Sequence, residues 1–137
     1  SSTNYFEVNF RDGSTDYDST KTTVIFRAYN FEDASTQALA YDTSHDLAQS
    51  TGFQRISQGI SSDDDHSVVG ILHLFDPSNT TFTKHFLCKT NNAHSTNASY
   101  TWNVAGYCNT TSAIDGIQFK MTTGNIDSGT FKLYGIS

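Results

Sequence analysis

Short runs in which apolar and polar residues alternate recur along the chain, separated by clusters of Gly, Asn, Asp and Ser. In residues 5–11, Phe6, Val8 and Phe10 share one face of an extended chain, and polar side chains occupy the other. Strict period two is typical of a half-buried strand. The same pattern predicts strands at residues 22–30, 53–56, 68–75, 82–88, 100–104, 114–121 and 130–136. These runs predict one antiparallel β-sandwich domain of jelly-roll type over residues 1–137, with eight to ten strands and essentially no helix.

Two places in this pattern allow more than one local structure. Residues 34–46 fit either a single helical turn or another strand, and we favour the strand. Residues 68–75 and 82–88 form a hairpin around the turn sequence DPSN, which can pair in two registers. One register places Leu72, Leu74, Phe86 and Cys88 on the core face, and the other places Ile71, Phe75, Phe82 and Phe86 there.

Trp102 and the last predicted strand are expected to complete the core. Trp102 alternates with apolar neighbours, which favours a buried position over an outer-face platform for stacking a sugar. In residues 130–136, Phe131 and Leu133 should point into the sandwich, and Lys132 should point outward. The last strand is therefore predicted to seal the fold.

Composition agrees with a β-protein and limits the partners. Aromatic residues make up 13% of the chain, with 19 Thr and 17 Ser, whereas charged residues make up only 16%. The net charge of -6 with eight scattered basic residues argues against a nucleic-acid footprint, which needs clustered Lys and Arg. No apolar run approaches the roughly 20 residues of a membrane-spanning helix. We therefore expect neither nucleic acid nor a membrane as a partner.

Clusters of ionisable residues are present but do not match a catalytic or metal-binding motif. The run SSDDDH at residues 61–66 is interpreted as a solvated loop rather than a calcium site, because adjacent side chains of an extended loop point apart. His73 and His85 lie on the two arms of the hairpin, but two imidazoles make only half a zinc site. Motifs of hydrolases, metalloproteases and phosphate-binding loops are absent from the sequence. We expect no enzymatic activity, no cofactor and no bound metal.

The two cysteines, Cys88 and Cys108, allow two interpretations. In an oxidising compartment they could form a disulfide that closes a loop of about 20 residues, worth on the order of 3 kcal/mol. In a reducing cytoplasm they would be buried free thiols that pack as small hydrophobic groups. Sequons at Asn79, Asn97 and Asn109 would carry glycans only in a secreted eukaryotic protein.

The last third of the chain carries short motifs in a fixed order. They are NTTSAI at residues 109–114, GIQF at 116–119, TGNIDSGTF at 123–131 and LYGI at 133–136, preceded by LFDPSNTTFTKHF at 74–86. This pattern resembles the C-terminal part of small virion proteins of tailed phages, marine ones in particular. The resemblance implies a jelly-roll-like building block on the surface of a phage particle, used as head decoration, head fibre, tail fibre or receptor-binding tip.

The expected function is therefore that of a non-enzymatic structural protein of the virion surface. Five tyrosines are too many amphipathic rings for one small core: Tyr5, Tyr17, Tyr29, Tyr100 and Tyr134. They predict subunit contacts and a symmetric oligomer, with a trimer as the favoured form. Other virion proteins and a host-surface glycan are the further partners expected. The alternatives are a secreted carbohydrate-binding module and a subunit of an extracellular polymer, because a shared fold does not decide function. Outer-face aromatic residues in a concave strip would indicate a sugar, and a flat patch would indicate a neighbouring subunit.

Overall fold

The computed structural model describes residues 4–136, which form eight β-strands and no helix. The strands are β1 (Phe6–Arg11), β2 (Lys21–Phe31), β3 (Gln37–Tyr41), β4 (Gln54–Arg55), β5 (Val68–Leu74), β6 (Lys84–His94), β7 (Ala98–Cys108) and β8 (Gly116–Met121). The segment within residues 34–46 for which a strand was favoured is thus confirmed as β3.

The strands form two antiparallel sheets that pack face to face. The smaller sheet has the order β4-β1-β8 and the larger sheet has the order β3-β2-β7-β6-β5. The first strand pairs with the last and the second with the seventh, a nested pairing that jelly rolls share. In the larger sheet the consecutive strands β5, β6 and β7 lie beside β2, which makes a Greek key. The predicted all-β antiparallel sandwich is confirmed.

The core lies between the sheets and is filled by alternate residues of the paired strands. Phe10 of β1 packs against Phe86 of β6, with 4.9 Å between the ring centroids. Ile25 and Trp102 are fully buried in the same cluster. Each such side chain stabilises the fold by about 1.5–3 kcal/mol through burial. Trp102 has the core position that its alternation with apolar neighbours predicts.

The β5–β6 hairpin adopts the first of its two possible registers. Leu72 lies opposite Cys88 and Leu74 opposite Phe86, so all four side chains lie on the core face. Ile71, which the other register would bury, is 64% exposed. Periodicity alone does not decide between the registers, because both faces of the hairpin carry apolar residues and a shift of one residue would bury the opposite set.

Strand β6 extends beyond its predicted end at residue 88. In the additional part, polar residues occupy the inward-facing positions. Thr90 and Asn92 are both buried on the inner side of β6. The hydroxyl of Thr90 donates a hydrogen bond to the carbonyl of Ile56, and the amide of Asn92 donates to the carbonyl of Gly59 at 3.2 Å. Buried polar groups with such partners are tolerated in a core, and hydrophobic periodicity does not detect them.

The predicted strand at residues 130–136 is wrong. Phe131 and Leu133, which were expected in the core, are 58% and 93% exposed. Within the described chain, residues 124–136 belong to no strand and make no backbone hydrogen bond to another described residue. Alternation shows which face of a strand could be buried. A strand also needs a neighbouring edge to pair with, and the alternation carries no information on that edge.

Candidate interaction surface

The side of the five-stranded sheet that points away from the core, here called the outer face, carries many exposed apolar side chains. They are Val24, Phe26, Leu39, Tyr41, Val69, Ile71, Phe75 and Leu87, each at least 48% exposed. Antiparallel sheets with one solvated face normally carry polar residues on that face. Strand β2 departs from this rule, because Ile25 fills the core while Val24 and Phe26 lie on the outer face. The larger sheet is apolar on both sides.

Cross-strand pairing arranges these side chains in two groups. On the β3 side, Tyr41 lies opposite Phe26, and Leu39 lies opposite Ala28. On the other side, the apolar residues belong to β5 and the first half of β6. Asn103 and Lys89 separate the two groups in the middle of the sheet, whereas Ala105 joins Val24 to Leu87 nearer one end. The outer face thus carries two apolar flanks that meet at one end of the sheet, rather than a single aromatic strip.

A shallow depression of about 440 Å³ lies at one end of the outer face. Its lining is almost wholly apolar and includes Val24, Phe75, Leu87 and Tyr107. His85 borders it and lies opposite Tyr107, with 5.9 Å between the ring centroids. Its apolar lining suits apolar side chains of a partner better than a polar ligand.

The C-terminal segment, residues 130–136, is a second exposed apolar region. Phe131 contacts the sandwich through the rings of Phe6 and Phe119, with centroid distances of 6.2 and 5.3 Å. Beyond it, Leu133 and Ile136 are at least 90% exposed. The base of the segment is therefore fixed to its own sandwich, and the rest is surrounded by solvent.

Four of the five tyrosines whose number suggested subunit contacts pack at least partly within the chain: Tyr5, Tyr17, Tyr29 and Tyr100. Tyr29 stacks on Tyr100 with 4.8 Å between the ring centroids. The guanidinium of Arg55 lies 3.4 Å from the centroid of the Tyr5 ring. Tyr134, in the C-terminal segment, is the exposed one. Most of the exposed apolar surface comes from other residues, which the tyrosine count did not reveal.

The two cysteines are buried and unbonded. Cys88 lies opposite Val104, and Cys108 lies four residues further along the same strand, about 13 Å away. A disulfide needs Cα atoms within about 7 Å, so this register does not permit the bond. Burial raises the pKa of the Cys88 thiol from 9.0 to about 12 and also raises the pKa of Cys108. Both thiols are uncharged at neutral pH and pack as small hydrophobic groups.

Two buried lysines flank Cys108, a feature that the sequence patterns did not suggest. Lys21 and Lys84 lie opposite Cys108 on its two neighbouring strands. The ammonium of Lys21 donates hydrogen bonds to the carbonyls of Ser19 at 2.9 Å and Gly52 at 2.7 Å. Burial lowers the pKa of Lys21 to about 8. The only sequence signal for the burial of Lys21 was its spacing from Thr23 and Ile25, which lie on the same inward face of β2.

The Lys84 ammonium is held in the same way by backbone carbonyls. It donates to the carbonyl of Phe82 at 2.8 Å and to the carbonyl of Thr111 at 3.0 Å. These bonds tie the end of the β5–β6 loop to the segment that leads into β8. Buried ammonium groups are costly unless they are hydrogen-bonded, so this lysine is a structural element of the sandwich end.

Asp42 and His45 form a second polar cluster between the sheets. The side chain of Asp42, 4% exposed, lies 2.8 Å from Nδ1 of His45 and 3.5 Å from the guanidinium of Arg27. The other ring nitrogen of His45 is 2.7 Å from the Arg55 guanidinium and accepts its hydrogen bond. Both ring nitrogens are thus occupied within the chain. The pair joins the β3–β4 connection to β4.

Neither the acidic run at residues 61–66 nor the two histidines of the hairpin form a metal site in the described part of the chain. Asp63 and the two aspartates after it are exposed. His73 lies opposite Leu87, and His85 lies opposite Tyr107, so the two imidazoles do not face each other across the hairpin. Among residues 4–136, no group of three or more His, Cys, Asp or Glu residues is placed to hold a metal ion. In the same range, no helix has the length and apolarity needed to cross a membrane.

The fold and its exposed surfaces define an all-β sandwich with an apolar outer face and a solvent-exposed apolar C-terminal segment. No family model, no curated protein and no solved structure matches the chain. Function is therefore inferred from these surfaces and from the sequence motifs.

Proposed function

We propose that the chain is a non-enzymatic structural module on the surface of a phage particle and that it assembles as a symmetric oligomer. The outer face supports this proposal most directly, because eight large apolar side chains lie exposed on one sheet. Monomeric proteins rarely expose contiguous apolar patches larger than a few hundred Å². Permanent subunit interfaces are more apolar than the ordinary surface, and such an interface would remove this face from water.

The phage particle is the setting that the sequence motifs of residues 109–136 favour. The two buried free thiols are compatible with it, because a virion protein folds in the reducing cytoplasm of its host before the particle is released. Head decoration, fibre or receptor-binding tip are the positions in which such a module would serve. Other virion proteins are then its neighbours, and a host-surface glycan is a further partner.

A carbohydrate-binding module is the second candidate, and one observation favours it. Phe26 and Tyr41 lie opposite each other on β2 and β3, each 50% exposed, and paired rings can stack on the apolar face of a sugar. However, most exposed apolar residues of the outer face are aliphatic, such as Val69 and Ile71. Aliphatic side chains do not stack on sugars, whereas they are common in subunit interfaces. The surface therefore favours assembly.

Native mass spectrometry and analytical ultracentrifugation of the purified chain test the assembly. We expect an oligomer, and we expect the double variant Val24→Glu/Leu87→Glu to dissociate into folded monomers, because it places charges beside the apolar depression. Phe82→Glu is the matched control, since Phe82 is 69% exposed but lies in a loop outside the sheet. A monomeric parent, or a double variant that assembles like the control, would contradict the proposal.

Quantitative mass spectrometry of purified particles tests the setting. The particles are those of the virus whose genome encodes the chain. The chain should be present in a copy number that is a multiple of its oligomer. Binding of soluble glycans by the isolated chain, abolished by Phe26→Ala, together with absence from the particles would instead establish the carbohydrate-binding module.

A further inference from the structure

The smaller sheet ends at β8, whose outer edge is not paired with any described strand. Strand β8 spans six residues, Gly116–Met121, and pairs with β1 on one side only. Edge strands offer unpaired backbone donors and acceptors to any further strand that reaches them. At β8 this edge lies next to half-buried apolar side chains, Ile117 and Phe119. At β8, therefore, the sheet ends without a further strand and the apolar side chains of the core are only partly covered.

The contacts between the sheets show what a strand added at β8 would cover. Thr23 of β2 donates a 2.6 Å hydrogen bond to Gln54 of β4, and Phe10 of β1 packs on Phe86 of β6. Passing across the smaller sheet from β4 to β8 therefore corresponds to passing from β2 towards β5 in the larger sheet. With β4 opposite β2 and β1 opposite β6, β8 lies on the β5 side of the sandwich, and a strand added beyond β8 would lie at the outer edge of β5. The inner side chains of β5 are only half-buried, so an apolar strand there would shield this edge of the core from water.

The C-terminal segment has the properties of such a strand but does not fill this position in its own chain. Phe131 and Leu133 alternate with Lys132 and Tyr134, the pattern of a strand with one apolar face. Residues 132–136 can reach about 17 Å beyond Phe131 when extended, a length comparable with an ordinary strand. Leu133 is nevertheless 93% exposed. The segment is thus an apolar strand without a partner, and β8 is an edge without a strand.

We propose that residues 132–136 of one copy add as a strand to β8 of a second copy of this chain. The contact is head-to-tail, so a ring in which each copy passes its segment to the next closes on itself, and a trimer is one such ring. The other edge of the same sheet is a less suitable acceptor, because β4 has only two residues. The exchange rests on the self-assembly that we propose for the chain, and it adds a second contact to that of the outer face.

Disulfide trapping between two different variants tests the exchange. One chain carries Lys132→Cys, and the other carries Gln118→Cys or Lys120→Cys. Gln118 and Lys120 are exposed on the outer side of β8, and the native cysteines are buried. After mixing and mild oxidation, we expect a disulfide-linked pair of unlike chains. Lys89→Cys is the matched control, because it places an exposed thiol on β6 of the other sheet, and it should not be trapped with Lys132→Cys.

A chain that carries both Lys132→Cys and Gln118→Cys separates exchange from folding back. A disulfide confined to one chain would show that the segment returns to its own β8, and the inference would be wrong. Hydrogen exchange of the unsubstituted oligomer gives an independent measurement, with slowed exchange expected at the amides of residues 132–136. An oligomer with neither trapping nor slowed exchange would overturn the exchange and leave the proposed assembly intact. A parent chain that stays monomeric would overturn both.

Discussion

The indole nitrogen of Trp102, on β7, donates a 3.1 Å hydrogen bond to the backbone carbonyl of Arg55, on β4 of the facing sheet. Trp102 is fully buried, so this bond joins the two sheets inside the core. A buried indole usually needs a partner for its N–H group, and a two-residue strand supplies it here. The short strand β4 is therefore held by a side chain as well as by its ladder with β1.

Replacing Trp102 tests how strongly this contact stabilises the fold. Trp102→Ala should lower the free energy of unfolding by about 3–5 kcal/mol, because it removes a large buried side chain. Trp102→Phe keeps most of the burial but leaves the Arg55 carbonyl without its partner, which should cost about 1–3 kcal/mol. Urea denaturation of both variants measures these values. A Trp102→Phe variant as stable as the parent would show that the hydrogen bond contributes nothing beyond packing.

Phe131 and Phe86 should respond very differently to truncation, although both belong to alternating runs. Phe86→Ala should cost about 3–5 kcal/mol, because Phe86 is fully buried against Phe10. Phe131→Ala should cost less than about 1 kcal/mol in the monomer, because Phe131 is 58% exposed. Thermal melts at a concentration that keeps the chain monomeric make the comparison. A melting temperature lowered equally in both variants would show that the segment packs into its own core.

Cys88 should make the protein lose stability in alkaline solution. Its pKa is raised by burial from 9.0 to about 12, so between these values the folded state keeps a proton that the unfolded state releases. Stability is fully present below pH 9.0 and falls as the pH rises towards 12. The Cys88→Ala variant lacks this loss, so its deficit relative to the parent should shrink by up to about 1.4 kcal/mol per pH unit.

Urea denaturation of the parent and of Cys88→Ala, from neutral pH to about pH 11, measures this difference. At neutral pH the variant should be less stable by about 1 kcal/mol through lost packing. Lys21 acts in the opposite direction, because its pKa is lowered to about 8 and its cost disappears as it loses its proton. Lys21 is present in both proteins, so the difference between them isolates the thiol. A deficit independent of pH would contradict the burial of Cys88.

Lys84 should behave as a structural residue despite its charge. Lys84→Met leaves the part-buried carbonyls of Phe82 and Thr111 without this donor, which should cost about 1–3 kcal/mol. Lys89→Met is the matched control, because Lys89 lies on the exposed side of the same strand and should change stability by less than about 0.5 kcal/mol. Chemical denaturation of the two variants gives the comparison. Similar small losses would indicate that water replaces the ammonium at the carbonyls.

The sequence contained enough information for the sandwich but not for its surfaces. Alternation predicted the strands because inward-facing residues such as Phe10 and Phe86 are apolar and their neighbours on β1 and β6 are mostly polar. On β2 this signal is weak, because Val24 and Ile25 are both apolar and only the structure shows which one faces the core. The alternation did not predict the inward position of Lys84, because a lysine is normally expected in water.

The local pattern also does not show which strand an alternating run will pair with. Residues 130–136 alternate as regularly as residues 5–11, yet only the run at residues 5–11 contains a strand, β1. Pairing depends on where distant parts of the chain lie, and no local pattern contains that information. The local pattern misses the cluster of Asp42, His45 and Arg55 for the same reason, since Arg55 comes from β4 and the other two from the β3–β4 connection. A hydrophobicity profile lists its members as three unrelated polar residues.

The pairing of β1 with β8 has a consequence for the order in which the molecule can form. Phe6 lies opposite Met121, and Arg11 lies opposite Gly116, so the first strand bonds to a strand more than a hundred residues later. The five-stranded sheet can form from its own consecutive strands while β1 remains unpaired on one side. Loops that long close slowly, and folds dominated by such contacts belong to the slow two-state class, on the order of milliseconds to seconds. During synthesis, β1 is made long before its main partner, so the nascent chain carries an unpaired edge on this strand until β8 is complete.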